Sequence, residues 1–160
     1  KKIQGLIILN SAHRRTESAQ TAIYLRYRKI LGSGPNSTVE DAIKRWFTPD
    51  FIINNKDKTN QVRSWILANK REVYAKNYLV LVNEVNKVVD TANKISCPTL
   101  VLTSDEDFGN GPEMAKAIAS EIKDAQLKVL GGLRHMALFE EPELVNQAIK
   151  KFLQGAGFEN

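Results

Sequence analysis

The chain of 160 residues is poor in cysteine and contains no long apolar segment. Its single cysteine, Cys97, excludes an internal disulfide framework and favours a reducing compartment, so we expect a cytoplasmic location. No apolar run approaches the ~20 residues of a membrane-spanning helix, and we therefore expect no membrane partner. The apolar run after Lys1-Lys2 has no small-residue cleavage site, which favours a strand over a signal peptide.

The sequence also has no basic stripe and no nucleic-acid-binding motif, although its formal net charge is +5. The densest basic cluster, His13-Arg14-Arg15, is short, and the other lysines and arginines are spread along the chain. This distribution is typical of solvated helix faces, so we expect no nucleic-acid partner. We predict neither a metal site nor a cofactor.

The composition that remains, 42% apolar and 26% charged, is that of an ordinary globular domain. Leu6–Leu9 is a continuous apolar run, which indicates a strand buried on both faces of a parallel sheet. An apolar run over Thr99–Thr103 and a further short strand predicted over Gln126–Leu130 alternate with helical patterns. The sequence therefore predicts an α/β fold with a short parallel sheet of three strands.

A helical insert separates the first strand from the other two. We assign residues 1–15 and 95–160 to the core and residues 16–94 to a helical cap, or lid, over the carboxyl edge of the sheet. Ser37 and Glu40 have the spacing of a capping box. Helices are predicted at 16–31, from this box to Pro49, from about Asn60, and at 71–81 and 84–93.

Acidic residues and a histidine follow two neighbouring strands of the predicted sheet. Asp105 and Asp107 come after the second strand, and His135 comes after the third. The carboxyl ends of parallel strands meet at one edge, where α/β sheets bind their ligands. An acid and a histidine there suit a hydrogen-bonded pair in which the acid orients a general base. The alternative is a helix-capping acid and a surface histidine.

Other candidate site residues are weaker. His13 follows the first strand, and we interpret it as a solvated loop histidine that could touch substrate. Most aromatic residues of the insert are expected to pack in its core, and Trp46 and Trp65 are the candidates for lining an apolar substrate pocket. Ser11 and Ser104 lie at strand ends, but neither is on the strained turn that activates a serine nucleophile.

Two segments, Ile95-Ser-Cys-Pro-Thr-Leu-Val-Leu-Thr-Ser-Asp-Glu-Asp107 and Gly132-Leu-Arg-His-Met-Ala-Leu-Phe-Glu-Glu-Pro142, resemble the last strands of the α/β-hydrolase family. The family usually has glycine where Ser104 stands, followed after two residues by the acid of the catalytic triad. The resemblance therefore implies Asp107 as the triad acid, with Asp105 as the fallback, and His135 as the triad histidine.

The cap carries a finer likeness. Arg45-Trp-Phe-Thr-Pro49 and Tyr74-Ala75 are similar to segments of 3-oxoadipate enol-lactone hydrolases and related carboxylester and carbon–carbon bond hydrolases. This likeness implies a small-molecule ester or lactone as the substrate.

The sequence departs from the family at one point: it contains no G-x-S-x-G nucleophile elbow. We therefore expect the C-terminal part of a serine hydrolase, which supplies the acid and the histidine but not the nucleophile or the earlier strands. The alternative is a non-catalytic, truncated module used for binding or assembly. In either case the open edge of Leu6–Leu9 is predicted to pair with the missing N-terminal half or with a second copy.

Overall fold

The computed structural model describes residues 3–158, apart from the side chains of residues 88 and 89. Three strands, β1 (Leu6–Leu9), β2 (Thr99–Ser104) and β3 (Ala125–Leu130), form a parallel sheet in the order β1-β2-β3. The helices are α1 (Glu17–Ser33), α2 (Val39–Trp46), α3 (Pro49–Asn54), α4 (Lys56–Leu67), α5 (Arg71–Asn83), α6 (Val85–Val88), α7 (Pro112–Glu121), α8 (Ala137–Glu140) and α9 (Pro142–Gly155), with 3-10 helices at Pro35–Ser37 and Val89–Lys94. The predicted fold class is confirmed.

The centre of the sheet is β2, whose six residues are all buried. It pairs with β1 from Leu6 opposite Thr99 and with β3 from Thr99 opposite Ala125. Alternate residues of a strand face opposite sides of the sheet, so β2 contributes to two cores. Within residues 3–158, β1 and β3 are the edge strands.

Two apolar clusters cover the faces of the sheet. On one face, Leu100 and Leu102 pack with Val145 and Phe152 of α9. On the other face, Val101 packs in a second cluster with Ala115 and Ile118 of α7, with Ile122 just beyond that helix and with Ala92 of the second 3-10 helix. The sheet is thereby held between α7 and α9, which fixes the positions of the loops at its carboxyl edge.

The chain divides into two compact units. The described residues up to His13, together with those from Asp90 onwards, form the sheet unit, and Arg14–Val89 forms a wholly helical unit. The interpretation of the helical unit as a cap stays a prediction, and the predicted core also includes residues 1, 2, 159 and 160, which lie outside the described residues. Among the helices of the described part, none is long and apolar enough to cross a membrane.

The predicted capping box is wrong. Ser37 lies inside a 3-10 helix, and its hydroxyl donates to the carbonyl oxygen of Gly34 at 2.7 Å. The N-cap residue of α2 is Thr38, which makes no side-chain capping bond. Glu40 instead accepts a hydrogen bond from Arg63, with Nε 2.8 Å from Oε1. Ser37 does not cap α2 because its short side chain makes a hydrogen bond to the backbone of the preceding turn.

The predicted helix boundaries around Pro49 are also wrong. Pro49 does not end the second helix but begins α3 at its first position, where a missing N–H costs nothing. Thr48 caps this helix by accepting a hydrogen bond from the Phe51 N–H at 3.2 Å. The next helix, α4, starts at Lys56, four residues before the predicted start at Asn60.

Ser104, the last residue of β2, has a buried side-chain hydroxyl. Its Oγ has no hydrogen-bond partner among the described residues. Removing an unsatisfied buried hydroxyl relieves its desolvation cost, so we expect Ser104→Ala to raise the free energy of unfolding by about 1 kcal/mol. Urea unfolding of the chain measures this change. Thr103 is the matched control, because its buried Oγ1 donates to the Asn110 carbonyl oxygen at 2.8 Å. Thr103→Val should lower the same free energy, and equal losses in both variants would contradict the prediction.

Candidate active site

The structure brings Asp107 and His135 into direct contact at the carboxyl edge of the sheet. Asp107 lies three residues after the end of β2, and His135 lies five residues after the end of β3. The imidazole Nδ1 is 2.8 Å from Oδ2 of the carboxylate. An ionised carboxylate only accepts hydrogen bonds, so Nδ1 carries the hydrogen and donates it. The acid is almost completely buried, at 2% side-chain exposure, whereas the histidine is 30% exposed.

The Asp107 carboxylate accepts four hydrogen bonds. Its Oδ1 accepts from the backbone N–H groups of Gly109 and Asn110, both at 3.0 Å. Its Oδ2 accepts from His135 and from the Asn10 side-chain amide, the latter at 3.0 Å. Burial by itself raises the pKa of Asp107. The hydrogen bond and the charge of His135 lower it, as do the hydrogen bonds from Asn10 and Asn110. Together these effects outweigh burial and hold the pKa of Asp107 below its usual range. The acid is therefore kept ionised beside the imidazole.

The turn after β2 is built to present this carboxylate. Gly111 lies so close to the turn that a Cβ atom on it would sit 2.7 Å from the backbone oxygen of Asp107. A glycine is needed at this close approach of two backbone segments. The Glu106 N–H donates to the Leu133 carbonyl oxygen at 3.1 Å, which ties the acid-bearing turn to the loop that carries the histidine.

Asp105, the fallback for the triad acid, has a different contact. Its Oδ1 accepts a hydrogen bond from the backbone N–H of Gly132 at 2.8 Å. Gly132 has a φ of 68°, in the left-handed region that favours glycine. Asp105 thus supports the loop leading to the histidine, and Asp107 is the acid in contact with the imidazole.

Asn10 is a site residue that the sequence reasoning missed. It directly follows β1 and has a φ of 44°, a left-handed conformation that asparagine tolerates better than most residues. Its N–H donates to the Leu102 carbonyl oxygen at 2.9 Å, and its own carbonyl oxygen accepts from the Asn110 side chain at 2.8 Å. These bonds aim its amide at Asp107. The position of Asn10 directly after β1 could have indicated it, because this places the asparagine at the same edge of the sheet as the acid.

We expect Asn10→Gly to raise the pKa of Asp107 towards its ordinary value. Glycine adopts the left-handed conformation without strain, so the variant removes the amide donor and leaves the backbone in place. Carboxyl ¹³C NMR titration of Asp107 measures the change. Asn10→Ala is the companion variant, because it also strains the backbone and should cost additional unfolding free energy of about 1 kcal/mol. An unchanged Asp107 pKa in the glycine variant would contradict the role given to Asn10.

Stability should fall in acid because of Asp107. Its pKa is depressed in the folded state, so its contribution is complete above the unfolded-state value of about 4 and is lost as pH falls through the folded-state value. We expect urea midpoints to drop on acidification below about pH 4, with the difference between wild type and Asp107→Asn shrinking over the same interval. A difference that stays constant down to about pH 2 would show that this carboxylate does not provide the linkage.

The prediction of a solvated His13 is wrong. The residue is only 3% exposed, and its Nε2 lies 3.1 Å from Oε1 of Glu121. Its backbone N–H contacts the sulfur of Met114 at 3.4 Å. Both partners lie on α7, and they hold the segment after β1 against that helix. No local sequence pattern indicates these contacts, because they join residues about a hundred positions apart.

The two tryptophans proposed for substrate binding both belong to the helical unit. Trp46 is the half-buried last residue of α2, and Trp65 on α4 is 53% exposed. Their role in substrate binding stays a prediction. Within residues 3–158, no group of three or more His, Cys, Asp or Glu side chains is arranged to hold a metal ion.

A parallel sheet with an acid and a histidine on adjacent strand ends defines a protein with part of the α/β-hydrolase fold. The family described as serine aminopeptidase, S33, matches residues 1–142, and the chain belongs to this family. The predicted membership of the α/β-hydrolases is thereby confirmed.

Proteins from several organisms are similar to this chain. An (E)-2-((N-methylformamido)methylene)succinate hydrolase of Acinetobacter baylyi is 28% identical over 152 residues, which are 95% of this chain and 56% of that protein. A thermophilic esterase of Thermogutta terrifontis has 28% identity and a TM-score of 0.80, over 96% of this chain and 56% of the esterase. An enol-lactonase of Burkholderia xenovorans has 20% identity and a TM-score of 0.81, over 95% and 56%, and supports the fold alone. The chain therefore spans just over half the length of these proteins.

Proposed function

We propose that this chain supplies the acid and the histidine of a serine hydrolase that cleaves a carboxylic ester or a lactone. The contact of 2.8 Å between His135 and Asp107 is the observation that carries the proposal. A buried carboxylate bonded to Nδ1 fixes the tautomer in which Nε2 is the basic nitrogen. We infer that the serine nucleophile comes from a segment outside this sequence, because neither Ser11 nor Ser104 is on a nucleophile elbow.

The proposed reaction has two steps. In the first, the serine oxygen attacks the carbonyl carbon while Nε2 of His135 takes the hydroxyl proton, and that proton then passes to the leaving alkoxide as the ester bond breaks. In the second, a water molecule attacks the acyl-enzyme, the imidazole takes its proton, and the serine leaves as the hydroxyl with a free carboxylic acid as the product. Asp107 stabilises the imidazolium formed in each step, because its depressed pKa keeps it ionised.

The choice of an ester as the substrate is supported by one relative, because the protein of 28% identity from Thermogutta terrifontis is an esterase. The likeness of the cap segment Arg45–Pro49 to enol-lactone hydrolases points in the same direction. The single cysteine supports a cytoplasmic enzyme.

We further propose that the nucleophile-bearing half pairs with the outer edge of β1. Among residues 3–158 the inner edge of this strand pairs with β2, and no strand lies beyond its outer edge. An apolar strand with an open edge is a template for another strand. Self-association of two copies through β1 is the competing arrangement, and sedimentation of the isolated chain distinguishes a monomer from a dimer.

Complementation tests the proposed function. The chain is co-expressed with the part of the Thermogutta terrifontis esterase that it does not match, and hydrolysis of p-nitrophenyl acetate is measured. We expect activity in the complex and none in either part alone. Labelling of the isolated chain by a fluorophosphonate probe would show a nucleophile within it and contradict the proposal. A folded complex without esterase activity would favour the non-catalytic binding module instead.

A further inference from the structure

Asp107 and His135 both lie in segments outside the helices and strands. Gly109 and Gly111 follow the acid and Gly132 precedes the histidine, so the backbone around each is conformationally permissive. Their hydrogen bond measures 2.8 Å and is lost once the two atoms are about 3.6 Å apart. A relative movement of the two segments by ~1 Å therefore breaks the pair. Contacts that hold the two segments together thus decide whether the pair forms.

Arg134, the residue before His135, makes such contacts on both sides of Asp107. Its Nε lies 3.4 Å from Oε2 of Glu106, the residue before the acid. Its Cζ lies 5.0 Å from the ring centroid of Phe108, the residue after the acid. A cation at this distance over an aromatic face is attracted by the ring. One side chain of the histidine segment thus contacts both neighbours of Asp107.

Burial shows which of these contacts is the stronger. The ion pair with Glu106 is long and its carboxylate is exposed, so it contributes little by itself. The Arg134 side chain is only 16% exposed, and partial removal from water strengthens its attraction to the Phe108 ring. Phe108 is itself 70% exposed and belongs to neither apolar cluster beside the sheet. Its ring therefore acts on the fold through Arg134 and not through the core.

A backbone hydrogen bond joins the same segments at another point. The Glu106 N–H donates to the Leu133 carbonyl oxygen at 3.1 Å, two residues before His135. A single point of attachment lets the chain beyond it pivot. The Arg134 side chain reaches to Phe108 and so holds the two segments at a second point.

We propose that Arg134 is a positioning residue, which sets the distance and orientation between His135 and Asp107 through its contacts with Glu106 and Phe108. This inference rests on the proposed function for its catalytic meaning, because the pair that Arg134 positions is the base and the acid of that mechanism. Arg134 acts through His135 and touches no reacting atom. A planar guanidinium suits this role, because its edge pairs with a carboxylate while its face lies over a ring.

Imidazole ¹⁵N NMR of the isolated full chain tests the positioning without any enzyme activity. The sequence contains two histidines, so His13, which contacts Glu121 on α7, supplies the reference signals. In alkaline buffer the wild type should show a single His135 tautomer, with the hydrogen on Nδ1. Arg134→Gln should show a mixture of both tautomers, and Arg134→Lys a smaller change. An unchanged His135 spectrum in Arg134→Gln would overturn the proposal.

Kinetics of the complemented hydrolase give a second measurement. Arg134→Gln should lower kcat for p-nitrophenyl acetate by about tenfold or more and change KM by less than about twofold, because a misoriented base weakens the transition state and not substrate binding. Arg134→Lys should recover part of the loss, since it keeps the charge but not the planar fork. Arg28→Gln is the matched control, because Arg28 on α1 bonds to Tyr24 in the helical unit, and it should keep the wild-type kinetics. A change confined to KM would contradict a positioning role.

A second variant keeps the test decisive if Arg134→Gln does not fold. Combining Glu106→Gln with Phe108→Leu weakens both contacts of Arg134, and both replaced side chains are exposed, so no core is opened. This double variant should show the same tautomer mixture, and a wild-type spectrum would overturn the proposal. A tautomer change in a chain whose complex has no esterase activity would support the positioning role while removing the proposed function. Wild-type spectra and kinetics in the folded Arg134→Gln variant would do the reverse.

Discussion

His135→Ala is expected to lower kcat/KM of the complemented hydrolase by about 10⁴-fold or more. In the proposed mechanism the imidazole is the base for both proton transfers, and its Nδ1 is already fixed by the buried Asp107 carboxylate at 2.8 Å. Alanine removes the base while the proposed nucleophile and oxyanion donors, which come from elsewhere, are retained. Hydrolysis of p-nitrophenyl acetate by the co-expressed halves measures the loss, which should fall on kcat with little change in KM.

The fold should survive this change, because His135 is 30% exposed and is not part of either apolar cluster beside the sheet. Circular dichroism and the urea midpoint of the variant serve as the control. A well-folded complex that keeps more than about one tenth of the wild-type activity would remove His135 from the proposed mechanism.

Asp107→Asn is expected to lower kcat by a similar factor of about 10⁴. The carboxamide turns one acceptor into a donor. The new NH2 group then has two possible orientations. It either points at the N–H groups of Gly109 and Asn110, which are also donors, or donates to Nδ1 of His135 and so forces the tautomer whose Nε2 carries the hydrogen. In the second arrangement the nitrogen that should accept the serine proton is blocked. The same ester assay, run from about pH 6 to pH 9, should show a loss across the whole range.

Asp105→Asn is the matched control for this substitution. Asp105 accepts one hydrogen bond, from the Gly132 N–H, and an amide oxygen still accepts that bond. We expect the activity to change by less than about threefold. A larger loss in Asp105→Asn than in Asp107→Asn would move the role of the triad acid to Asp105.

The features that the sequence predicts are those carried by local patterns. Apolar runs located β1 and β2, because a strand that faces a core on each side of the sheet is mostly apolar. The meeting of Asp107 and His135 followed from one topological rule, that parallel strands end at the same edge. Neither inference needed a side-chain position.

The features that escaped prediction depend on contacts between distant segments or on competition within a turn. Asn10 meets Asp107 only because β1 and β2 pair as parallel neighbours, so that the segments following the two strands lie at the same edge of the sheet. His13 is buried by α7, about a hundred residues away. Ser37 had the spacing of a cap, but its hydroxyl and its backbone N–H both donate to the Gly34 carbonyl oxygen, which places it in another turn.

The pairing of β1 with β2 has a consequence for how the molecule assembles. Leu6 pairs with Thr99 although the whole helical unit separates the two residues along the chain. By contrast, only α7 separates β2 from β3 along the chain. Bringing together the ends of so long a loop is entropically costly and slows any step that depends on it. On a ribosome, β1 emerges long before the strand that it needs. We therefore expect β1 to join the sheet last, after the helical unit and the β2-α7-β3 segment have formed on their own.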